Sequence, residues 1–284
     1  MYYTIKNDKI TVQISSLGAE LMSIVKDGVE YVWQGDPTYW RGRACNLFPV
    51  CGRMIDGKYT YKGEIYEMII HGFSRLNECE VYEQTEDRIV FTLEDNEETY
   101  KSYPFKFKFF AEFALNGDTL TVKYTATNTD NKVMYATFGG HPGFNVPLDN
   151  GSFEDYYLEF SEKCEPREII FSDGSTVPFP IRDNQFIDLK HSLFDNDSIF
   201  MVNAADAMTL KSKISERSVT ISYPGAKYMG IWHTPKSDAP FVCLEPWWGS
   251  PARAGGYADL ETMQDLYAFE PGDTKSVAYD IIIK

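Results

Sequence analysis

The sequence predicts an all-β chain folded as a large antiparallel β-sandwich. Three observations predict it: apolar and polar residues alternate with period 2 almost from end to end, X-Gly turn pairs separate the alternating runs, and aromatic residues make up 15% of the chain. Alternation of that period puts successive side chains on opposite faces of a pleated strand, and glycine at a tight turn accepts the positive φ that joins antiparallel neighbours.

The elements follow in order. Lys9 to Ile14 alternates; Leu21 to Val25 and Glu30 to Trp33 flank Asp27-Gly28; Lys58 to Tyr61 and Glu64 to Met68 flank Lys62-Gly63. Each flanked pair reads as a hairpin. The strongest is Phe105 to Leu115 followed by Asn116-Gly117 and Thr119 to Asn128, where two long runs meet at a turn. Further runs at Ala207 to Ile214, Ser218 to Tyr223, Tyr228 to Trp232, Phe241 to Glu245 and Lys275 to Ile283 carry the pattern to the C-terminus. Helical periodicity is scarce, and no linker interrupts the alternation, so residues 1–284 read as one domain. Two stretches break the pattern, 45–57 and 170–184, both rich in Gly, Pro, Asp and Arg, and such loops often carry function.

Composition narrows the partners. Hydrophobic residues at 43%, including 19 Tyr and 19 Phe, suffice for a large core. A formal charge of -15 disfavours nucleic acid and anionic membrane surfaces, which attract clustered Lys and Arg. A small neutral or locally recognised ligand fits better. The five cysteines lack C-x-x-C spacing and read as reduced thiols. The N-terminus shows neither a basic n-region nor an apolar h-region, and no apolar run approaches membrane-spanning length, which leads us to expect a cytoplasmic protein.

Four histidines repay individual inspection. His71 follows an apolar run in Ile69-Ile70-His71-Gly72-Phe73-Ser74-Arg75, an expected strand end with a turn at Gly72. His141 sits in Phe138-Gly139-Gly140-His141-Pro142-Gly143-Phe144-Asn145, whose glycines and proline imply a sharp bend and close backbone approach. A lone histidine more often satisfies hydrogen bonds in a core; two with glycine neighbours shift that balance toward a site. His191 and His233 have ordinary settings and are expected to be structural.

Glu245 closes an apolar strand ahead of Pro246-Trp247-Trp248-Gly249, where partial desolvation raises a carboxyl toward the range of a general base. A Glu paired with a nearby arginine is the equally common alternative. Trp247 and Trp248 offer apolar faces to a sugar ring, Arg53 and Arg75 offer guanidinium forks, and Asp197 offers hydroxyl acceptors; core filling, surface ion pairs and turn capping are the competing explanations. Neither H-x-H nor H-E-x-x-H occurs, nor a Walker A loop or a G-x-S-x-G elbow, so no metal, nucleotide cofactor or serine nucleophile is expected.

Taken together, Leu17 to Leu21, Pro49 to Arg53, H-G-F-S-R, G-G-H-P-G-F-N, D-S-I-F and L-E-P-W-W-G resemble, in order and over essentially the whole chain, the aldose 1-epimerase family, especially its branch of LacX-like proteins and hexose-6-phosphate mutarotases. The resemblance implies a galactose mutarotase-like β-supersandwich that holds a hexopyranose in a groove, opens its ring by acid/base chemistry and recloses it as the other anomer without metal or cofactor. It makes Glu245 the base, His141 the acid, His71 a group at the ring oxygen, and Arg53 and Asp197 holders of sugar hydroxyls. Arg75 matches a position where phosphate-binding relatives keep an arginine. The chain departs from galactose mutarotases proper after the second histidine, where Pro142-Gly143-Phe144-Asn145 replaces their N-x-x-Y-F-N-L type segment, which leaves the sugar open. The competing readings are a non-catalytic carbohydrate-binding protein on the same fold and a glycoside hydrolase or lyase, the hydrolase needing a second carboxylate. A monomer or homodimer is expected.

Overall fold

The computed structural model describes residues 1–253 and 255–284. Two large antiparallel sheets face each other. One has nine strands in the order Phe186–Asp188, Tyr156–Phe160, Ala207–Ser212, Ser218–Ser222, Thr274–Ile283, Thr119–Asn128, Phe107–Asn116, Arg88–Glu94 and Glu80–Gln84. The other has seven, Thr176–Pro178, Arg167–Ile169, Ile199–Val202, Tyr228–Trp232, Phe241–Trp247, Gly139–Asn145 and Ala44–Leu47. An N-terminal sheet of four strands and two smaller sheets flank them, and among the described strands only Ala258–Asp259 and Lys58–Tyr61 pair in parallel.

The expected hairpins form. Asp27 and Gly28 both take positive φ (50° and 77°), as do Lys62 and Gly63 (52° and 82°), which is the backbone of a type I′ turn. At the longest hairpin Asn116 pairs with Thr119, so the two-residue turn is Gly117-Asp118, one residue later than expected, with Gly117 at φ 56°. Glycine takes the left-handed position there and frees Asn116 to extend the strand. Within Phe107–Asn116 the alternation is strict: Phe107, Phe109, Ala111, Phe113 and Leu115 are buried while Lys108, Phe110, Glu112 and Ala114 are only half-buried.

Some expectations need correction. The stretch 45–57 begins as a strand, Ala44–Leu47, before becoming loop, and 170–184 contains the short strand Thr176–Pro178. Glu97–Ser102 is helical; Asn96 accepts hydrogen bonds from the N–H groups of Glu98 and Thr99, so a cap rather than periodicity starts it.

The sheets meet through large side chains answered by small ones. Tyr124, on the nine-stranded sheet, donates its hydroxyl to Asn46 Oδ1 on the seven-stranded sheet at 2.6 Å. A Cβ on Gly140 would lie 2.8 Å from the Tyr279 ring, so only glycine fits under that tyrosine. Because side chains alternate, the residues beside these inward contacts, Cys45 and His141, point to the opposite face of the seven-stranded sheet. One hydrophobic cluster runs from Ile5 to Ile283 between and around the sheets. Among the described residues no helix is long and apolar enough to cross a membrane. All five cysteines are free, as their spacing predicts.

Candidate functional site

The face of the seven-stranded sheet turned away from the nine-stranded one carries a pocket of ≈ 440 Å³. Its lining includes every one of the six residues singled out in the sequence: Arg53, His71, Arg75, His141, Asp197 and Glu245.

Register explains the centre. Gly139 pairs with Trp247 and Gly143 with Cys243, which brackets His141 opposite Glu245 on the neighbouring strand. His141 Nε2 lies 3.3 Å from Glu245 Oε2. On Glu245's other side stands Gly230, where a Cβ would come within 3.2 Å of the Glu245 Cβ, so the missing side chain makes room for the carboxylate. The segment around His141 runs as an extended strand, Gly139–Asn145, rather than bending sharply as expected. Its glycines serve close approach instead: a Cβ on Gly139 would meet Cys51 Sγ at 2.8 Å, and one on Gly143 would meet Trp40 at 3.2 Å. Trp40 lies over the His141 ring at 5.0 Å and 30°.

His71 is held by a loop rather than at the expected strand end, since the preceding strand stops at Glu67. Its backbone is left-handed (φ 66°), as is that of Gly72 (φ 71°), where a Cβ would lie 2.2 Å from the Phe48 carbonyl oxygen. Two reciprocal hydrogen bonds lock it: His71 N–H donates to Gly52 O at 2.8 Å, and Gly52 N–H donates to His71 Nδ1 at 3.1 Å. An Nδ1 that accepts carries no hydrogen, so the neutral ring bears its N–H at Nε2. Its ring stands edge-on to His141 and to Trp247, each at 5.3 Å.

Electrostatics favour neutral forms at the centre. Burial, with the Arg75 charge, lowers His141 to about 4. Burial, then the neighbouring charges of His141, Arg75 and Arg53, hold His71 well below the ordinary histidine range. Burial, reinforced by the Asp197 carboxylate, pushes Glu245 well above the carboxylate range. His141 and Glu245 are only 8% and 3% exposed, so charge on either is poorly solvated.

Asp197 and the arginines form the rim. Asp197 Oδ1 accepts from Trp232 Nε1 at 3.1 Å and from the Ser198 N–H at 2.9 Å. Arg75 Nε donates to the Ile70 carbonyl oxygen at 3.4 Å, and neither Arg53 nor Arg75 belongs to the ion pairs formed by the described residues. Both arginines, with Ile70, also border a second hollow of ≈ 730 Å³, so they stand where the two spaces meet.

Of the two tryptophans expected as sugar platforms only Trp247 lines the pocket, while Trp248 belongs to the main hydrophobic cluster. Sequence reasoning missed Trp40, Cys45, Phe171 and Trp232. Period-2 alternation places Cys45 and Trp232 on a strand face but says nothing of which face is lined by a ligand space. His141, Cys243 and Glu245 present a nitrogen, a sulfur and an oxygen within 4.8 Å of one another, donor types that zinc uses. Burial, with the charges of Glu245 and Cys45, raises the Cys243 thiol well above its usual range.

An all-β sandwich with a histidine–glutamate pair, a second imidazole and aromatic walls around a concave pocket has the features of a small-molecule site. Comparison with known proteins identifies the class. A family model described as aldose 1-epimerase matches residues 1–253. The LacX protein of Lactococcus lactis subsp. lactis, in its chromosomal and plasmid forms, is 33% identical over 299 aligned positions that cover 100% of this chain and 99% of LacX. Among solved structures, a galactose mutarotase related enzyme from Lactobacillus acidophilus superimposes with a TM-score of 0.94 at 33% identity, covering 100% of this chain and 97% of that one. A galactose mutarotase-like protein from Lactobacillus casei gives 0.93 at 32% identity, with 100% of both chains covered. The chain belongs to the aldose 1-epimerase family.

Proposed function

We propose that this protein is an aldose 1-epimerase that interconverts the α and β anomers of a hexose or hexose 6-phosphate. The observation that carries the reading is the 3.3 Å contact of His141 Nε2 with Glu245 Oε2 at the floor of the pocket, with both groups biased toward neutrality. Ring opening needs a proton removed from the C1 hydroxyl and one delivered to the ring oxygen. The pair shares one proton: with it on His141, Glu245 takes the C1 hydroxyl proton while His141 gives its own to the ring oxygen, and the pair is left neutral with the proton on Glu245. Because burial opposes charge on each, the neutral pair with the proton on Glu245 is the resting form, and reclosure starts from it by the same two transfers in reverse. The aldehyde of the open chain then rotates about C1–C2 and recloses on its other face.

The remaining residues bind. His71, whose Nε2 carries the hydrogen, donates toward the ring oxygen and withdraws charge there. Asp197 accepts from sugar hydroxyls, and Arg53 holds hydroxyl oxygens. Arg75, beside Arg53 and without a carboxylate partner, suits a C6 phosphate, for which the adjoining hollow leaves room. We read the chain as a single domain, in keeping with the hydrophobic cluster that spans it, acting in the cytoplasm as a monomer or homodimer on a small sugar and not on nucleic acid or membrane.

Polarimetry of freshly dissolved α-D-glucose, α-D-galactose and α-D-glucose 6-phosphate tests the proposal. Acceleration over the buffer rate that disappears in Glu245→Gln supports it and ranks the sugars. Decay at the buffer rate for all three, with sugar binding retained, replaces it with a non-catalytic carbohydrate-binding protein.

A further inference from the structure

Two of the four histidines lie outside the pocket yet touch one another. His233 is 0% exposed, packed against Phe194 at 4.2 Å and Phe153 at 5.4 Å. Its Nδ1 is 2.7 Å from the Thr234 carbonyl oxygen and its Nε2 is 3.1 Å from His191 Nδ1. A carbonyl oxygen only accepts, so His233 Nδ1 carries the hydrogen. Burial lowers His233 to about 4, so at neutral pH Nε2 has a free lone pair. His191 Nδ1–H is therefore the donor, and the chain of bonds runs His191 to His233 to Thr234.

The loop gripped by this pair leads to the pocket. His191 opens the 3-10 turn His191–Phe194, and three residues beyond it Asp197 sits in a left-handed conformation (φ 87°) with its N–H donating to Phe194 O at 3.1 Å. Trp232, adjacent to His233, donates its indole N–H to Asp197 Oδ1 at 3.1 Å. Alternation sends the two side chains to opposite sides of one strand end: the indole reaches the pocket and the imidazole reaches the core. Two consecutive residues thus hold one loop at two points, His233 at its root and Trp232 at its tip.

We infer that His191 and His233 are positioning residues whose hydrogen bond sets the place of the Asp197 carboxylate in the pocket. The inference rests on the pocket being the sugar site proposed above. A loop loosened at its root moves Asp197 away from the sugar, which raises KM, and away from Glu245. Glu245 faces His141, Cys243 and Trp247, with Cys45, His71, Arg53 and Arg75 around the same space and Asp197 as the second negative charge. Removing that like charge lets Glu245 ionise at lower pH.

Four variants separate the anchor from mere packing. His191→Phe keeps a ring on Phe153, now stacked at 4.1 Å, but has no donor, whereas His191→Asn keeps an N–H close to the Nδ1 position. His233→Gln keeps an acceptor close to the Nε2 position, whereas His233→Asn does not. The readouts are KM and kcat by polarimetry, the acidic limb of kcat/KM, and hydrogen exchange of the Trp232 indole N–H by ¹⁵N NMR, assigned with Trp232→Phe. We expect His191→Phe and His233→Asn to raise KM by about tenfold with kcat within about twofold, the scale of one lost hydrogen-bonded anchor. The acidic limb moves to lower pH, the Trp232 indole exchanges faster, and His191→Asn and His233→Gln restore all three. Unchanged KM, limb and exchange in His191→Phe and His233→Asn overturn the inference, as does a loss of thermal stability alone in all four. If His191→Phe does not fold, the His233 pair decides by the same readouts. Should the wild-type protein anomerise none of the sugars, the proposed function fails, while the Trp232 exchange still judges the anchor: faster in His191→Phe and restored in His191→Asn, or the inference is withdrawn.

Discussion

His141 and Glu245 stand opposite each other on adjacent antiparallel strands, Nε2 to Oε2 at 3.3 Å, with glycines at 139, 143 and 230 clearing the space around them. The contact is a cross-strand pair of the kind that stabilises any sheet, turned here to a face that opens into a pocket. Burial opposes charge on both partners, so the proton they share rests on Glu245.

The first prediction concerns Glu245. Replacement by Gln keeps the shape and removes the proton acceptor, so anomerisation should fall by about 10²–10⁴-fold, the usual contribution of a positioned acid or base. Circular dichroism should match the wild type, because a buried amide beside His141 satisfies the same contact. Polarimetry decides, and a loss under tenfold would falsify the assignment of Glu245 as base.

Gly72 tests how His71 is placed. A Cβ there meets the Phe48 carbonyl oxygen at 2.2 Å in a backbone of φ 71°, whereas Gly63 has φ 82° with nothing within 4 Å. Gly72→Ala should therefore cost more than about 2 kcal/mol in urea unfolding, and Gly63→Ala only the roughly 1 kcal/mol of a left-handed alanine. Equal losses would show that the close approach is relaxed at little cost.

The arginines bear on the sugar. If a C6 phosphate reaches the junction of the two hollows, Arg75→Gln should raise KM for glucose 6-phosphate by about tenfold or more while leaving KM for glucose within about twofold. Steady-state polarimetry on both sugars measures the ratio. Parallel changes would place Arg75 at a hydroxyl or at the loop alone.

The pH dependence of stability follows from the buried imidazoles. His141 and His233 are each lowered to about 4, and His71 is lowered as well. Below the unfolded value of about 6.5 the unfolded chain binds protons that the folded chain refuses, so their contribution is present above pH 6.5 and lost as the pH falls toward the folded values. Glu245, raised in the fold, acts in the opposite sense: its contribution is complete below about 4.5 and is lost as the pH climbs through its raised value. Three histidines outnumber one carboxyl, so urea unfolding between pH 6.5 and 5 should show stability falling with acidity. In His233→Gln that slope should be shallower by about 1 kcal/mol per pH unit, most of one proton's worth. An unchanged slope would mean His233 titrates normally.

Much of the site is legible in the sequence because its residues fall at marked places. Glu245 follows four apolar residues, and His141 stands among three glycines; such neighbours single out a polar group before any fold is known. Trp232 and Cys45 carry no such mark. They belong to ordinary alternating strands, and their entry into the pocket depends on which sheet face the other sheet covers. The expected bend at His141 was read from glycine and proline as turn formers; in the fold those glycines are the flat places against which Tyr279, Trp40 and Cys51 pack. His191 and His233 show the same limit, since residues 42 positions apart form one hydrogen bond that neither segment announces.

By itself the sequence determined an all-β architecture, its hairpins and the polar groups that come to line the pocket, because alternation, turn chemistry and local neighbours act over a few residues. Only the tertiary structure decided that strand register sets His141 against Glu245, that Gly52 fixes the tautomer of His71, and that Trp232 and His233 hold the Asp197 loop from two sides. Those relations join segments far apart in the chain, and they arise when two twisted sheets close on each other and leave one face of one sheet open.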